Sequence, residues 1–195
     1  MKVLLIDCCI REEESRTKVL SNAFINKLKI AHKDITIQEV KLYRENIHPL
    51  LKEDIKKRDL FVFKGDYSDS MFSLAHKFKD SDVVIVATPL WDLSFPSLLK
   101  VYFENIFVNG LTFMYQDGIP VGLSKVTKAV LIATSGGEMI EANMNYIFDA
   151  IDFLANKKVE HFKSFVSMLD VLDETKVKDS LNKEIEDYDR IIKQI

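Results

Sequence analysis

The chain has 195 residues, 47% of them hydrophobic and 29% charged, with a formal net charge of -3. That length and balance suit one domain over residues 1–195 with a core of its own, and exclude a disordered or fibrous chain. Scattered Lys and Arg leave no basic face for nucleic acid, and no apolar run has the length of a membrane span, so neither partner is expected.

The first element is the run Val3-Leu4-Leu5-Ile6, apolar throughout and closed by Asp7. It reads as a central parallel strand buried on both faces, and it is too short for the core of a signal peptide. Cys8 and Cys9 follow as the only cysteines; adjacent to one another, they offer no disulfide framework, and a cytoplasmic location is expected. From Ser15 to Ala31 the residues Val19, Ala23, Phe24, Leu28 and Ala31 fall on one helical stripe. Ile35 to Val40 is a weaker, partly polar run that suits an outer strand. Tyr43 to Asp69, with Pro49 and Gly65, is longer than a simple connection and predicts a short helix around Glu53 to Phe63.

Met71, Ala75 and Phe78 mark another amphipathic helix ahead of a second central strand, Val83 to Ala87. Leu98/Leu99, Tyr102/Phe103 and Ile106/Phe107 then recur four apart, which makes a broad apolar face. Ala129 to Ala133 is a third central strand. A helix carrying Ile147, Phe148, Ile151 and Leu154, an outer strand over Val159 to Val166, and a closing helix with Val177, Leu181, Ile185, Tyr188 and Ile192 complete the chain. Strands alternating with helices predict an α/β doubly wound sheet of five parallel strands, order 2-1-3-4-5, with helices on both faces.

Ligands of such sheets bind beyond the carboxyl ends of the strands, where strand order reverses. Three loops meet there. In the first, Ser15-Arg16-Thr17 opens a helix with N-capping side chains, free backbone N–H groups and a cation; the set suits a phosphate, although the same residues equally cap a helix, and Glu12, Glu13 and Glu14 stand close by. The second, Thr88-Pro89-Leu90-Trp91-Asp92-Leu93-Ser94-Phe95-Pro96, is an apolar wall for a planar ligand or simply packing beneath a helix. The third, Thr134-Ser135-Gly136-Gly137-Glu138, offers close backbone approach or a plain turn. No G-x-G-x-x-G and no G-x-x-x-x-G-K-[ST] is present, which disfavours a separate dinucleotide site and a P-loop. His48, His76 and His161 are scattered and predict no metal site.

The run from Pro89 to Glu104, continuing through Gly110-Leu111-Thr112-Phe113-Met114-Tyr115, the segment Gly118 to Leu123 and the Thr134 to Gly137 turn resemble FMN-dependent NADH azoreductases and NAD(P)H quinone oxidoreductases, which have a flavodoxin-like fold. The resemblance implies FMN as cofactor and NAD(P)H as electron donor. It puts Ser15, Arg16 and Thr17 at the FMN phosphate with Cys8 beside them, Pro89, Leu90, Trp91, Asp92 and Leu93 along the ring and ribityl chain, and Ser135, Gly136, Gly137 and Glu138 at the pyrimidine end. It also implies a homodimer whose Phe113 and Tyr115 help to wall the acceptor pocket. Cys8 and Cys9 stand where relatives often carry hydroxyl residues, and the Ser-Gly-Gly-Glu turn lacks the basic residue found in some azoreductases. Because a bound flavin carries the chemistry, no side chain is expected to act as acid or base, and one pocket serving donor and small-molecule acceptor in turn predicts ping-pong kinetics. A flavodoxin-type electron carrier or a nucleotide-binding redox sensor is the alternative.

Overall fold

The structure, a computed structural model, describes residues 1–138 and 141–195. Its strands, in chain order, are β1 (Lys2–Asp7), β2 (Thr36–Lys41), β3 (Val83–Pro89), β4 (Phe113–Gln116), β5 (Ile119–Gly122), β6 (Lys128–Thr134) and β7 (Glu160–Val166). Five of them form one parallel sheet in the order β2-β1-β3-β6-β7, which is the expected 2-1-3-4-5 arrangement. The helices are α1 (Arg16–Ala31), α2 (Lys52–Lys64), α3 (Ser73–Lys79), α4 (Ser97–Ile106), α5 (Asn145–Leu154) and α6 (Glu174–Ile192). None among the described residues is long and apolar enough to cross a membrane.

Side chains of a strand alternate between faces, so the unbroken apolar runs of β1, β3 and β6 supply two cores at once. Leu4, Ile6, Val84, Val86 and Leu131 face α3, α4 and α5, where Phe78, Tyr102, Phe103, Ile147 and Ile151 cover them. Val3, Leu5, Val83, Ile85, Val130 and Ile132 face α1 and α6 and meet Phe24, Leu28, Leu181 and Tyr188. Phe24 and Tyr188 pack edge to face with ring centroids 5.0 Å apart, joining α1 to α6, and the Tyr188 hydroxyl lies 3.1 Å from Ser164 Oγ on β7.

Two features differ from expectation. In α1 the buried line runs through Leu20, Phe24 and Leu28, flanked by Thr17, Ser21 and Ile25, whereas Val19 is 46% exposed and Ala31 faces water. Hydroxyl side chains at 17 and 21 fill inward positions that a purely apolar count passes over; Ser21 Oγ donates to the Lys18 carbonyl at 3.1 Å. The second is the hairpin β4–β5, in a stretch not read as strand. Asp117 and Gly118 both take left-handed φ values, 52° and 79°, as a two-residue hairpin turn between Gln116 and Ile119 requires. The inner face of α4, Leu99, Tyr102, Phe103 and Ile106, is core, with Leu98 and Phe107 at its margin.

The α1 register is checked by a pair of substitutions. Phe24→Ala is expected to cost about 3–5 kcal/mol of unfolding free energy in urea titrations. Val19→Ala, on the same helix but facing water, is expected to change it by less than about 0.5 kcal/mol.

Candidate active site at the carboxyl ends of the strands

The first loop is anchored from below. β1 ends at Asp7, which is fully buried; its Oδ1 accepts the Cys9 N–H at 2.9 Å and its Oδ2 accepts from Lys18 Nζ at 2.5 Å. Lys18 lies in the first turn of α1, is itself buried, and also donates to Glu39 Oε1 on β2 at 2.6 Å. Burial alone would lower the ammonium pKa, but hydrogen bonds to Asp7 and Glu39 outweigh it and hold Lys18 well above the ordinary lysine range. The loop above makes one turn of 3₁₀ helix, Glu12–Glu14, and the Glu12 carboxylate is taken by the Arg44 guanidinium. Ser15 caps α1, its Oγ accepting the Lys18 N–H at 3.3 Å, and the N–H groups of Arg16 and Thr17 have no acceptor within the helix.

The other two loops are tied to it. Thr17 Oγ1 and Thr134 Oγ1 meet at 2.6 Å in the interior, and the Leu90 N–H donates to the Thr134 carbonyl at 2.8 Å. Trp91 and Ser94 exchange two backbone hydrogen bonds, of 2.6 and 2.9 Å, around Asp92 and Leu93, whose φ values of 47° and 70° are left-handed. Each such non-glycine residue costs about 1–3 kcal/mol, so the turn is held there by its surroundings. Asn143 Nδ2 donates to the Leu93 carbonyl at 2.6 Å. In the third loop Ser135 Oγ donates to the Gly137 carbonyl at 2.7 Å.

Between the loops lies a cavity of about 310 Å³ lined by Ser15, Arg16, Thr17, Pro89, Leu90, Trp91, Ser135 and Gly136, with Ile10, Arg11, Glu14, Thr134, Leu169 and Asp170. Asp92 and Gly137 line an adjoining opening that shares Leu90, Trp91 and Gly136 with it. Leu93 and Glu138 are exposed and lie outside both linings. Cys8 does not reach the cavity either, because its side chain is packed in the α3–α5 core. Phe113 and Tyr115 are also elsewhere on this chain: Phe113 packs against Phe107 and Phe153, and Tyr115 is 58% exposed.

A fourth loop, after β7, was not anticipated. Met168, Leu169 and Asp170 donate N–H groups to the Gly137, Ser135 and Gly136 carbonyls at 2.9, 3.1 and 3.0 Å. This docking brings the Asp170 carboxylate to Arg16 Nη1, 2.7 Å away. Arg11, in the first loop, carried a signal that could have been read, namely a second cation beside Arg16; the acid from the β7–α6 loop carried none.

The lining therefore offers backbone N–H groups at a helix start, two arginines and hydroxyls, the donors a phosphate needs. Pro89, Leu90 and Trp91 give the same cavity an apolar wall.

The family description "Flavodoxin-like fold" matches residues 1–193. The chain belongs to this flavodoxin-like family. An "FMN-dependent NADH:quinone oxidoreductase" of Coprothermobacter proteolyticus is 40% identical over 157 residues, covering 78% of this chain and 74% of its own. One of the same description from Clostridium perfringens is 36% identical over 194 residues, covering 94% and 96%. Among solved structures, an azoreductase from Bacillus anthracis superposes with a TM-score of 0.83 over 100% of both chains at 22% identity, a likeness of fold.

In this flavodoxin-like chain the two thiols are inert by environment. Burial pushes Cys8 up to about 12 and raises Cys9 further, so both stay protonated at neutral pH. Neither is expected to react with a chromogenic disulfide reagent in the native protein, and both should react once it is unfolded. The Asp7–Lys18 pair gives a second test. Lys18→Met strands a buried carboxylate and is expected to cost about 3–5 kcal/mol in urea titrations, most of it recovered in the Asp7→Asn, Lys18→Met double variant.

Proposed function

We propose that the chain is an FMN-dependent NADH oxidoreductase that passes electrons to a quinone, azo compound or similar acceptor, working as one domain over residues 1–195. The observation that carries the reading is the cavity itself: a cationic helix start and an apolar wall in one lining match a phosphate-tailed aromatic cofactor. The curated relatives, described as FMN-dependent NADH:quinone oxidoreductases at 36–40% identity, support the same cofactor, donor and acceptor class.

Arg16, the N–H groups of Arg16 and Thr17, and the Ser15 hydroxyl are assigned to the phosphate. Pro89, Leu90, Trp91 and Asp92 are assigned to the ring and ribityl chain, and Ser135, Gly136 and Gly137 to the pyrimidine edge. Leu93 and Glu138 keep a place at the rim; Cys8 drops out, being enclosed in the core. When bound, FMN supplies a ring that takes hydride from the nicotinamide and returns it to the acceptor. The protein's part is to fix that ring, shield one side with the Pro89–Trp91 wall, and balance charge with backbone donors, so no side chain is assigned as acid or base. With one cavity for both substrates, donor and acceptor enter in turn, and the kinetics are ping-pong. A homodimer in which the β4–β5 hairpin of one protomer faces the cavity of the other would bring Phe113 and Tyr115 to the acceptor. Two free, buried cysteines suit the reducing cytoplasm.

The purified protein is expected to bind FMN, to bleach anaerobically with NADH, and to show parallel double-reciprocal plots when quinone and NADH are varied together. An FMN-loaded protein that does not bleach with NADH or NADPH would be a carrier or sensor, and intersecting lines would overturn the single-cavity scheme. Arg16→Met should weaken FMN binding by roughly 10–100-fold, the weight of a hydrogen bond to a charged group, and leave riboflavin binding nearly unchanged.

A further inference from the structure

Asp170 occupies an unexpected position for an acid. Its Oδ1 accepts from Arg16 Nη1 at 2.7 Å, and both residues line the cavity at the end assigned to phosphate. Its Oδ2 sits over Gly136 so closely that a Cβ on that glycine would lie 1.9 Å away. The carboxylate thus bridges the first and third loops at the edge of the site. It is delivered there by backbone: the three N–H bonds from Met168, Leu169 and Asp170 to the Ser135–Gly137 segment fix the loop, and Met168 holds a left-handed φ of 63°. The Asp170 side chain beyond that anchor is 73% exposed and has room to turn away.

We propose that Asp170 is an internal anion that competes with phosphate for Arg16, and that a phosphate-ended ligand binds by taking Arg16 from it. The proposal rests on the flavin reading above. A carboxylate brings one negative charge to Arg16. A phosphate brings between one and a half and two at neutral pH, and can also accept from the Arg16 and Thr17 N–H groups that Asp170 leaves unused. Exchange therefore favours the dianion, at the cost of an exposed ion pair worth little in water. Because it competes for the same guanidinium, Asp170 lowers the affinity for ligands that end in a phosphate relative to those that do not. A ligand without a phosphate gains nothing from the exchange.

The test uses the full-length apoprotein and the Asp170→Asn variant, which keeps the side-chain shape and removes its charge. Affinities for FMN and riboflavin are measured by quenching of flavin fluorescence, and affinity for inorganic phosphate by calorimetry. FMN and inorganic phosphate are expected to bind the variant roughly tenfold more tightly than the wild type, from the released ion pair and the lost repulsion, with riboflavin unchanged. Equal or weaker FMN and phosphate binding by the variant would overturn the proposal and make Asp170 a residue that positions Arg16. An equal gain for riboflavin would also overturn it, by showing that Asp170 acts on the ring rather than on the phosphate. If neither protein quenched either flavin, the flavin reading itself would fail; the phosphate titration alone would then decide the exchange at Arg16, tighter binding by the variant supporting it and no difference overturning it.

Discussion

The buried contact of Asp7 with Lys18 is the constraint on which the site depends. An ion pair in the interior must be well hydrogen-bonded to offset its desolvation, and this one is: Asp7 also takes the Cys9 N–H, and Lys18 also reaches Glu39. The three partners come from the end of β1, the first turn of α1 and the middle of β2, so one cluster fixes where the central strand stops and where the next helix begins. The loop between is short and sharply turned because both its ends are pinned. The start of α1, with the Arg16 and Thr17 N–H groups that lack a helical acceptor, lines the cavity as a consequence.

From that anchor the architecture follows from alternation. β1 leaves the sheet with Cys8 packed in one core and Cys9 in the other, so the strand pattern continues two residues past Asp7 and the chain cannot lift off earlier. β3 lies beside β1 and β6 beside β3, all in parallel, and their carboxyl ends therefore open on the same edge. Backbone strain gathers there as well. Of the non-glycine residues with left-handed φ among those described, Glu12, Asp92, Leu93 and Met168 are all in loops at that edge, and only Asp117 is in the hairpin turn. Strain of this kind persists where surrounding contacts over-determine the backbone, and here those contacts are the Trp91–Ser94 bonds, the Asn143 bond to Leu93 and the docking of Met168 on Gly137.

The fold was legible because its signals are local. Central strands buried on both faces read as unbroken β-branched runs, and the strand order then follows from short right-handed crossovers. The three converging loops were legible for the same reason, since their place is set by topology. What could not be read depended on partners distant in sequence. Lys18 looks like a surface charge on a helix until Asp7 and Glu39 are placed beside it, and Val19 looks like a core residue until Thr17 and Ser21 prove to be the inward positions. Cys8 lay next to the right loop but on the wrong face, which a one-residue alternation decides. The resemblance to azoreductases and quinone oxidoreductases carried what residue chemistry could not, the identity of the ring that the Pro89–Trp91 wall would face.

The electrostatics of the cavity sharpen the point about the phosphate end. Three consecutive glutamates beside a candidate phosphate site are a contradiction if all of them face it, but Glu12 is withdrawn by Arg44 and only Glu14 joins the lining. Counting Asp170, two carboxylates then line the cavity with Arg11 and Arg16, and the formal charges of these four side chains cancel. An anion is not drawn in by net charge under these conditions. What favours an anion is then the set of fixed donors, the Arg16 and Thr17 N–H groups with the partial positive charge of the α1 start, which have no acceptor within the helix. On the proposed reading, a dianion is favoured in the one position where backbone and Arg16 converge, and a diffuse anion gains little there.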